Sequence, residues 1–175
     1  KIQCYYNHSE YSYILLKDII KDDYSGYHHR TAYNSGYYPQ ALYAGAQLAY
    51  MLEGTPYAMS DEAKNNIKTG LKTFHFLSAG LEIPAGTVGR FPKAQTILHE
   101  MVPAYAYMVN CENGADKELV AIFHDVYEKS VKNPAWMKYV TGVNSDMSYM
   151  TTVGEMETVA KALSFGKVTQ EMKTG

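Results

Sequence analysis

The chain has 175 residues, 46% of them hydrophobic and 19% charged, with 16 basic against 18 acidic side chains and a formal charge of −2. That is the size of one domain with a buried core. No apolar run approaches the roughly 18 residues of a membrane span, no block of like charge occurs, and Lys and Arg are not in excess, which argues against a membrane span, a charged tail and a phosphate-gripping surface; nucleic acid is not an expected partner.

In chain order, Tyr13, Leu16, Ile19 and Ile20 recur at spacings of three and four and predict a first helix. Asp22–Tyr38 follows as a loop. Leu42, Ala46, Ala49 and Tyr50 predict a second helix, with Pro39 in its first turn and a stop after Glu53 at Gly54 and Pro56. Ser60 ahead of Asp61, Glu62 and Ala63 is a capping serine followed by acids, where the helix dipole favours them, and opens a third helix to about Ala79. Gly80 stops it, and the Gly- and Pro-rich Leu81–Pro92 is a second long loop. Further helices are predicted over Ala94–Asn110, Lys117–Lys132, Trp136–Val140 and Ser148–Leu163, punctuated by Asn113-Gly114, Asn133-Pro134 and Thr141-Gly142. No period-two strand is visible. The expected fold is all-α, built of antiparallel helical hairpins with both long loops on the same side. No sequence repeat fixes whether they close into a ring.

The two cysteines, Cys4 and Cys111, lack CxxC spacing, so neither a zinc ribbon nor a disulfide framework is expected; a single bridge stays open. Tyrosine is over-represented at 17 residues, and five of these stand between Tyr24 and Tyr38 beside His28, His29, Arg30 and Asn34. One reading of that loop is a set of hydroxyls satisfying nearby backbone; the other is a binding site, since tyrosine joins an apolar ring to a polar tip. The second loop adds Arg90 between Gly89 and Phe91. Alone, such an arginine bonds helix-end carbonyls; beside the first loop it can pair with a carboxylate. Tyr, His and Arg together suit proton abstraction next to a carboxylate. The cation neutralises the carboxylate and acidifies the neighbouring carbon, while Tyr or His takes the proton. Tyrosine, with an ordinary pKa of about 10, needs nearby positive charge to act as a base near neutrality. Other candidates read as structure. His75, between Phe74 and Phe76, suits a partly buried core position, His99-Glu100 lacks the second His of a metalloprotease helix, and Met147, Met150 and Met156 suit core filling. The sequon Asn7-His8-Ser9 matters only in a eukaryotic secretory setting.

These residues fall in an order similar to a known family. His29, Asn34, Gly36-Tyr37, then Ala46-Gln47-Leu48-Ala49-Tyr50-Met51-Leu52, Thr55-Pro56-Tyr57, Asn65-Asn66 and Gly89-Arg90 resemble the chondroitin and hyaluronate lyases, most closely the broad-specificity chondroitin ABC lyases. The resemblance covers about 70 residues, with weaker likeness to about Lys132. It implies a helical toroid, a catalytic tyrosine at Tyr37, an active-site histidine at His29 and an active-site arginine at Arg90. The His-to-Tyr spacing is one residue longer than in the ABC-type enzymes, so Tyr38 stands as an alternative to Tyr37, and His28 to His29. Where those enzymes have Arg before the histidine, this chain has His28.

The implied activity is cleavage of uronic-acid-containing glycosaminoglycans, chondroitin and dermatan sulfate with hyaluronan as a further substrate, by β-elimination to unsaturated uronates. His28 and Asn34 would help Arg90 hold the uronate, and Tyr33, Tyr38 and Tyr43 would stack on sugar rings. No cofactor or protein metal site is expected, and dependence on a divalent cation is not set. Family members continue into β-sandwich domains that close the groove and add a glutamate. Residues 1–175 are therefore expected to be a single all-α catalytic-domain fragment of a larger lyase, periplasmic or secreted. The alternative function is a non-catalytic helical glycan-binding or scaffold module.

Overall fold

The computed structural model describes residues 19–28, 31–90, 93–134, 136 and 153–171, with side chains described for 156–166 of the last segment. Its helices form where apolar residues recur at helical spacing. Helix α1, Tyr37–Leu52, turns Tyr38, Leu42, Tyr43, Ala46 and Ala49 inward. Pro39 sits third, where a backbone N–H would have no intrahelical acceptor, so its missing donor costs nothing. Helix α2, Asp61–Phe76, starts as its residues predict: the Ala63 N–H donates to Ser60 Oγ at 3.2 Å, and Asp61 and Glu62 occupy the first turn. It buries Ala63, Ile67, Gly70, Leu71 and Phe74. At Gly70 a side chain would come within 2.6 Å of Leu42 Cδ2, so the glycine lets α1 and α2 close together.

Helix α2 ends three residues before the expected Ala79. Ser78 Oγ donates to the His75 carbonyl at 2.6 Å, and Ala79 pairs with Glu82 instead of extending the helix. The larger correction follows. Ala94–Asn110 is not one helix: Gln95–Thr96 pairs antiparallel with Glu82–Ile83, and Leu98–Met101 is a 3₁₀ turn. The cause is a backbone pairing across a loop. The Ile97 and Leu98 N–H groups both donate to the Leu81 carbonyl, at 3.2 Å each, and so are withheld from a helical ladder. Helix α3 begins only at Val102 and runs to Cys111, with Pro103 in its first turn.

Every residue of α3 from Val102 to Asn110 is buried, which makes it the central rod of the array. Helices α1, α4 (Lys117–Val131) and α5 (Val153–Glu171) all pack on it. Tyr105 Oη donates to the Leu71 carbonyl at 2.9 Å, and Asn110 Nδ2 donates to the carbonyls of Ala106 at 2.9 Å and Thr158 at 2.8 Å, fastening α2 and α5 to it. Helix α4 is capped by Asp116 and buries Leu119, Val120, Phe123 and Val126. Ion pairs lace the outer face, Lys68 to Glu112 at 2.6 Å and Lys72 to Asp116 at 2.9 Å and to Glu118 at 2.7 Å, and a His75–Asp125 hydrogen bond at 3.0 Å joins them. The fold is all-α with small antiparallel additions. Of the expected first helix only Ile19 and Ile20 are described; Met137–Val140 and Ser148–Thr152 lie outside the described residues.

Candidate functional site

The first loop turns back on itself around Gly26. Its N–H donates to Asn34 Oδ1 at 2.6 Å and its carbonyl accepts from the Tyr33 N–H at 2.8 Å, which brings Tyr27–His28 against Thr31–Ala32 as a two-rung antiparallel hairpin. A side chain at Gly26 would meet Tyr38 Cγ at 2.6 Å and both Asn34 Oδ1 and the Tyr33 carbonyl at 2.7 Å, so only glycine fits. The second loop then docks on the first. The Asn34 N–H donates to the Thr87 carbonyl at 2.7 Å, Ser35 Oγ donates to the Val88 carbonyl at 3.1 Å, and Tyr33 and Val88 form a β-bridge. Both loops thus form one ledge at the N-terminal end of α1.

Three rings meet on this ledge. His28 and Tyr37 lie 4.3 Å apart between ring centroids, tilted by 34°; Tyr33 and Tyr37 are 5.7 Å apart, and His28 and Tyr33 6.1 Å in an edge-on arrangement. Tyr37, the first residue of α1, is 41% exposed. Arg90 is exposed and lines a cavity of about 290 Å³ together with Thr31, Tyr33 and Gly89. Ring contacts therefore join Tyr37, His28 and Tyr33, and Tyr33 lines the same cavity as Arg90. Thr31 joins the lining without having been singled out in the sequence, where a threonine in a polar loop carries no distinguishing signal.

Other expected residues sit elsewhere. His29, with Arg30, lies outside the described residues. Tyr38 is fully buried: its hydroxyl, with one proton to donate, lies within hydrogen-bond reach of the carbonyls of Gly70, at 3.0 Å, and of Tyr24. Burial, with a smaller push from Asp23, raises its pKa far above the ordinary phenol value, the opposite of what a base needs. Tyr43 is 4% exposed and packs edge-on against Tyr107. Neither ring can stack on a sugar. Asn34 is 2% exposed, and its side-chain oxygen holds the loop at Gly26. Two tyrosines and the asparagine are thus scaffold.

Away from the ledge, His75 binds Asp125 across the α2–α4 face. His99 is buried, which lowers its pKa, and burial lifts the neighbouring Glu100 to about 7. The Cys111 thiol donates to Glu53 Oε2 at 3.2 Å and is pushed up to about 12, chiefly by burial, so it is not an activated nucleophile. Among the described residues no group of three His, Cys, Asp or Glu side chains is placed to hold a metal, and no helix is long and apolar enough to cross a membrane. Met156 is 36% exposed; Cys4, Asn7, Met147 and Met150 lie outside the described residues.

What the ledge can do chemically is bind an anion at Arg90 and offer a phenol backed by an imidazole. A protein-family model described as "Lyase, catalytic" matches residues 6–132, a stretch holding both loops and helices α1 to α4. No curated protein and no solved structure gives a match.

Proposed function

We propose, from the premise that the chain belongs to this catalytic-lyase family, that its polysaccharide-lyase activity is a β-elimination on glycosaminoglycans carrying uronic acid. The observation that supports the reading best is the pairing of an exposed Tyr37, stacked on His28, with the Arg90 cavity on one two-loop ledge. Arg90 pairs with the uronate carboxylate and draws off charge as it builds at C5. Tyr37 takes the C5 proton. The electron pair of the C5–H bond forms the C4–C5 double bond, the C4–O bond breaks, and the departing glycosidic oxygen takes up a proton, returned by Tyr37 or delivered through water. His28, in ring contact with that phenol, supplies positive charge when protonated. His29 is, by the resemblance, the base for the uronate epimer whose proton faces the other way. Tyr38 and Tyr43 have no part in this scheme.

The reading includes chondroitin and dermatan sulfate, with hyaluronan, as substrates, a periplasmic or secreted location, toroid closure of the helices, and β-sandwich domains of the parent chain facing the ledge. All of these follow from the resemblance. The test is to incubate the intact polypeptide with each glycosaminoglycan and follow the ultraviolet absorbance of the unsaturated product. Absorbance growing with time supports the reading. Retention of the glycan with no absorbance would replace it by a binding module. Arg90→Ala should lower kcat and raise KM together, because the carboxylate is paired in the ground state and more strongly in the transition state.

A further inference from the structure

We infer that Tyr33 is a positioning residue whose buried ring spaces Arg90 from Tyr37, and that Gly89 is glycine so that this ring can lie against the backbone that carries Arg90. The inference rests on the reading above and gives Tyr33 a different task from the sugar stacking its type suggests.

Four observations carry it. Tyr33 is only 2% exposed, so its ring is not an open platform for a sugar. Its backbone is fixed on both sides: its N–H donates to the Gly26 carbonyl at 2.8 Å, and it bridges Val88 of the second loop. One side of the ring faces the backbone at Gly89. A β-carbon there would lie 2.1 Å from Tyr33 Cδ2 and 2.3 Å from Cε2, closer than any real contact. Gly89 also has φ +67°, in the left-handed region that glycine adopts without penalty. Finally, the ring packs with Tyr37 at 5.7 Å and lines the cavity with Arg90. Two loops far apart in sequence thus hold their reactive side chains at a separation set by one aromatic ring. A ring lodged between the Gly89 backbone and the Tyr37 ring, on a main chain bonded to both loops, has little freedom, so the spacing is fixed before substrate arrives.

The spacer role depends on the ring and not on its hydroxyl, and this separates it from catalysis. In the intact polypeptide, Tyr33→Phe should cost much less kcat than Tyr33→Leu, because the ring remains in place. Tyr33→Leu and Gly89→Ala should each lower kcat by roughly 10- to 100-fold per folded molecule and raise KM, the penalty expected for a displacement of about 1 Å. Kinetics of all three variants, with the folded fraction measured by thermal melting, form the test, and parent protein and Tyr37→Phe serve as controls. Parent-like kcat and KM in Gly89→Ala would overturn the spacer assignment, as would a Tyr33→Phe loss as deep as that of Tyr33→Leu. If Tyr33→Leu does not fold, Gly89→Ala and Tyr33→Phe decide. A parent protein with no lyase activity would instead sink the functional reading and the inference with it, whereas an active parent with an indifferent Gly89→Ala sinks the inference alone.

Discussion

The two-loop ledge and the outer face of α2 and α4 are held by different physics. Between α2 and α4, the contacts are ion pairs such as Lys72 with Asp116 and Glu118, at 2.9 and 2.7 Å, on partly exposed side chains above an apolar interior. Each is soft: two flexible charged groups in a screened setting, worth about 0–1 kcal/mol. On the ledge, Gly26, Asn34, Tyr33 and Gly89 fit one another with no slack. The first arrangement tolerates substitution and salt. The second fixes geometry, and it is the one that carries the candidate reactive groups.

The sharpest way to break that comparison is at two adjacent tyrosines. Tyr37→Phe should reduce turnover by about two to four orders of magnitude with folding and substrate binding nearly unchanged, because only the exposed, proton-carrying hydroxyl is lost. Tyr38→Phe should do the reverse: it removes the hydroxyl within reach of the Gly70 and Tyr24 carbonyls and should cost about 1–3 kcal/mol of stability in urea melts, with kcat per folded molecule kept. Equal kinetic losses in the two would erase the distinction between site and scaffold. Next in size is Gly26→Ala. Its methyl would press on Tyr38, Asn34 and the Tyr33 carbonyl, so stability should fall by about 1–3 kcal/mol, and circular dichroism at the aromatic wavelengths should change more than the helical signal.

On the helical face, Lys72→Ala should cost about 1 kcal/mol or less, and 1 M salt should shrink the difference further. The smallest effect concerns acid. Although burial opposes it, hydrogen bonds from the Leu119 N–H and Lys72 hold the Asp116 carboxyl below its ordinary value, and Lys129 and His75 do the same for Asp125. A lowered folded pKa means the unfolded chain binds the proton first. The stability from these groups is therefore complete above the ordinary carboxylate pKa of about 4 and is lost as pH falls through and below it. Asp116→Asn should flatten the acid limb of a thermal-melt series between about pH 5 and pH 2, and an unchanged limb would remove this pair from the account.

Much of this was legible in the sequence. Helix α1 follows from three-and-four spacing, α4 fills the expected Lys117–Lys132 range, and α2 starts at Ser60 because capping is a short-range matter. The spacing also held unused information: Tyr38, Leu42 and Ala49 fall on one face of α1, so that Tyr38 points inward and Tyr37 outward could be read from the turn angle of a helix once its start was known. The late start of α3 was not legible, since Gln95 to Leu98 are diverted by Leu81, Glu82 and Ile83, and no window over residues 94–110 contains those partners. The same holds for the ledge. His28, Asn34 and Arg90 are recognisable as chemistry, yet which of them faces solvent depends on Gly26 and on a long-range bridge from Tyr33 to Val88.

The burial of nine consecutive residues in α3 bears on how the molecule breathes. An amide there, between Val102 and Asn110, has neighbours on all sides, so no local fraying exposes it to solvent. Its hydrogen should exchange for deuterium only when the whole helical array opens, and its rate should report the global free energy of unfolding. The Tyr33 amide, bonded within the first surface loop, and the Asn34 amide, bonded to the second, open by a smaller event. Deuterium uptake at these two places would time the ledge separately from the rod beneath it, and a ligand seated at Arg90 would slow the first clock well before it touched the second.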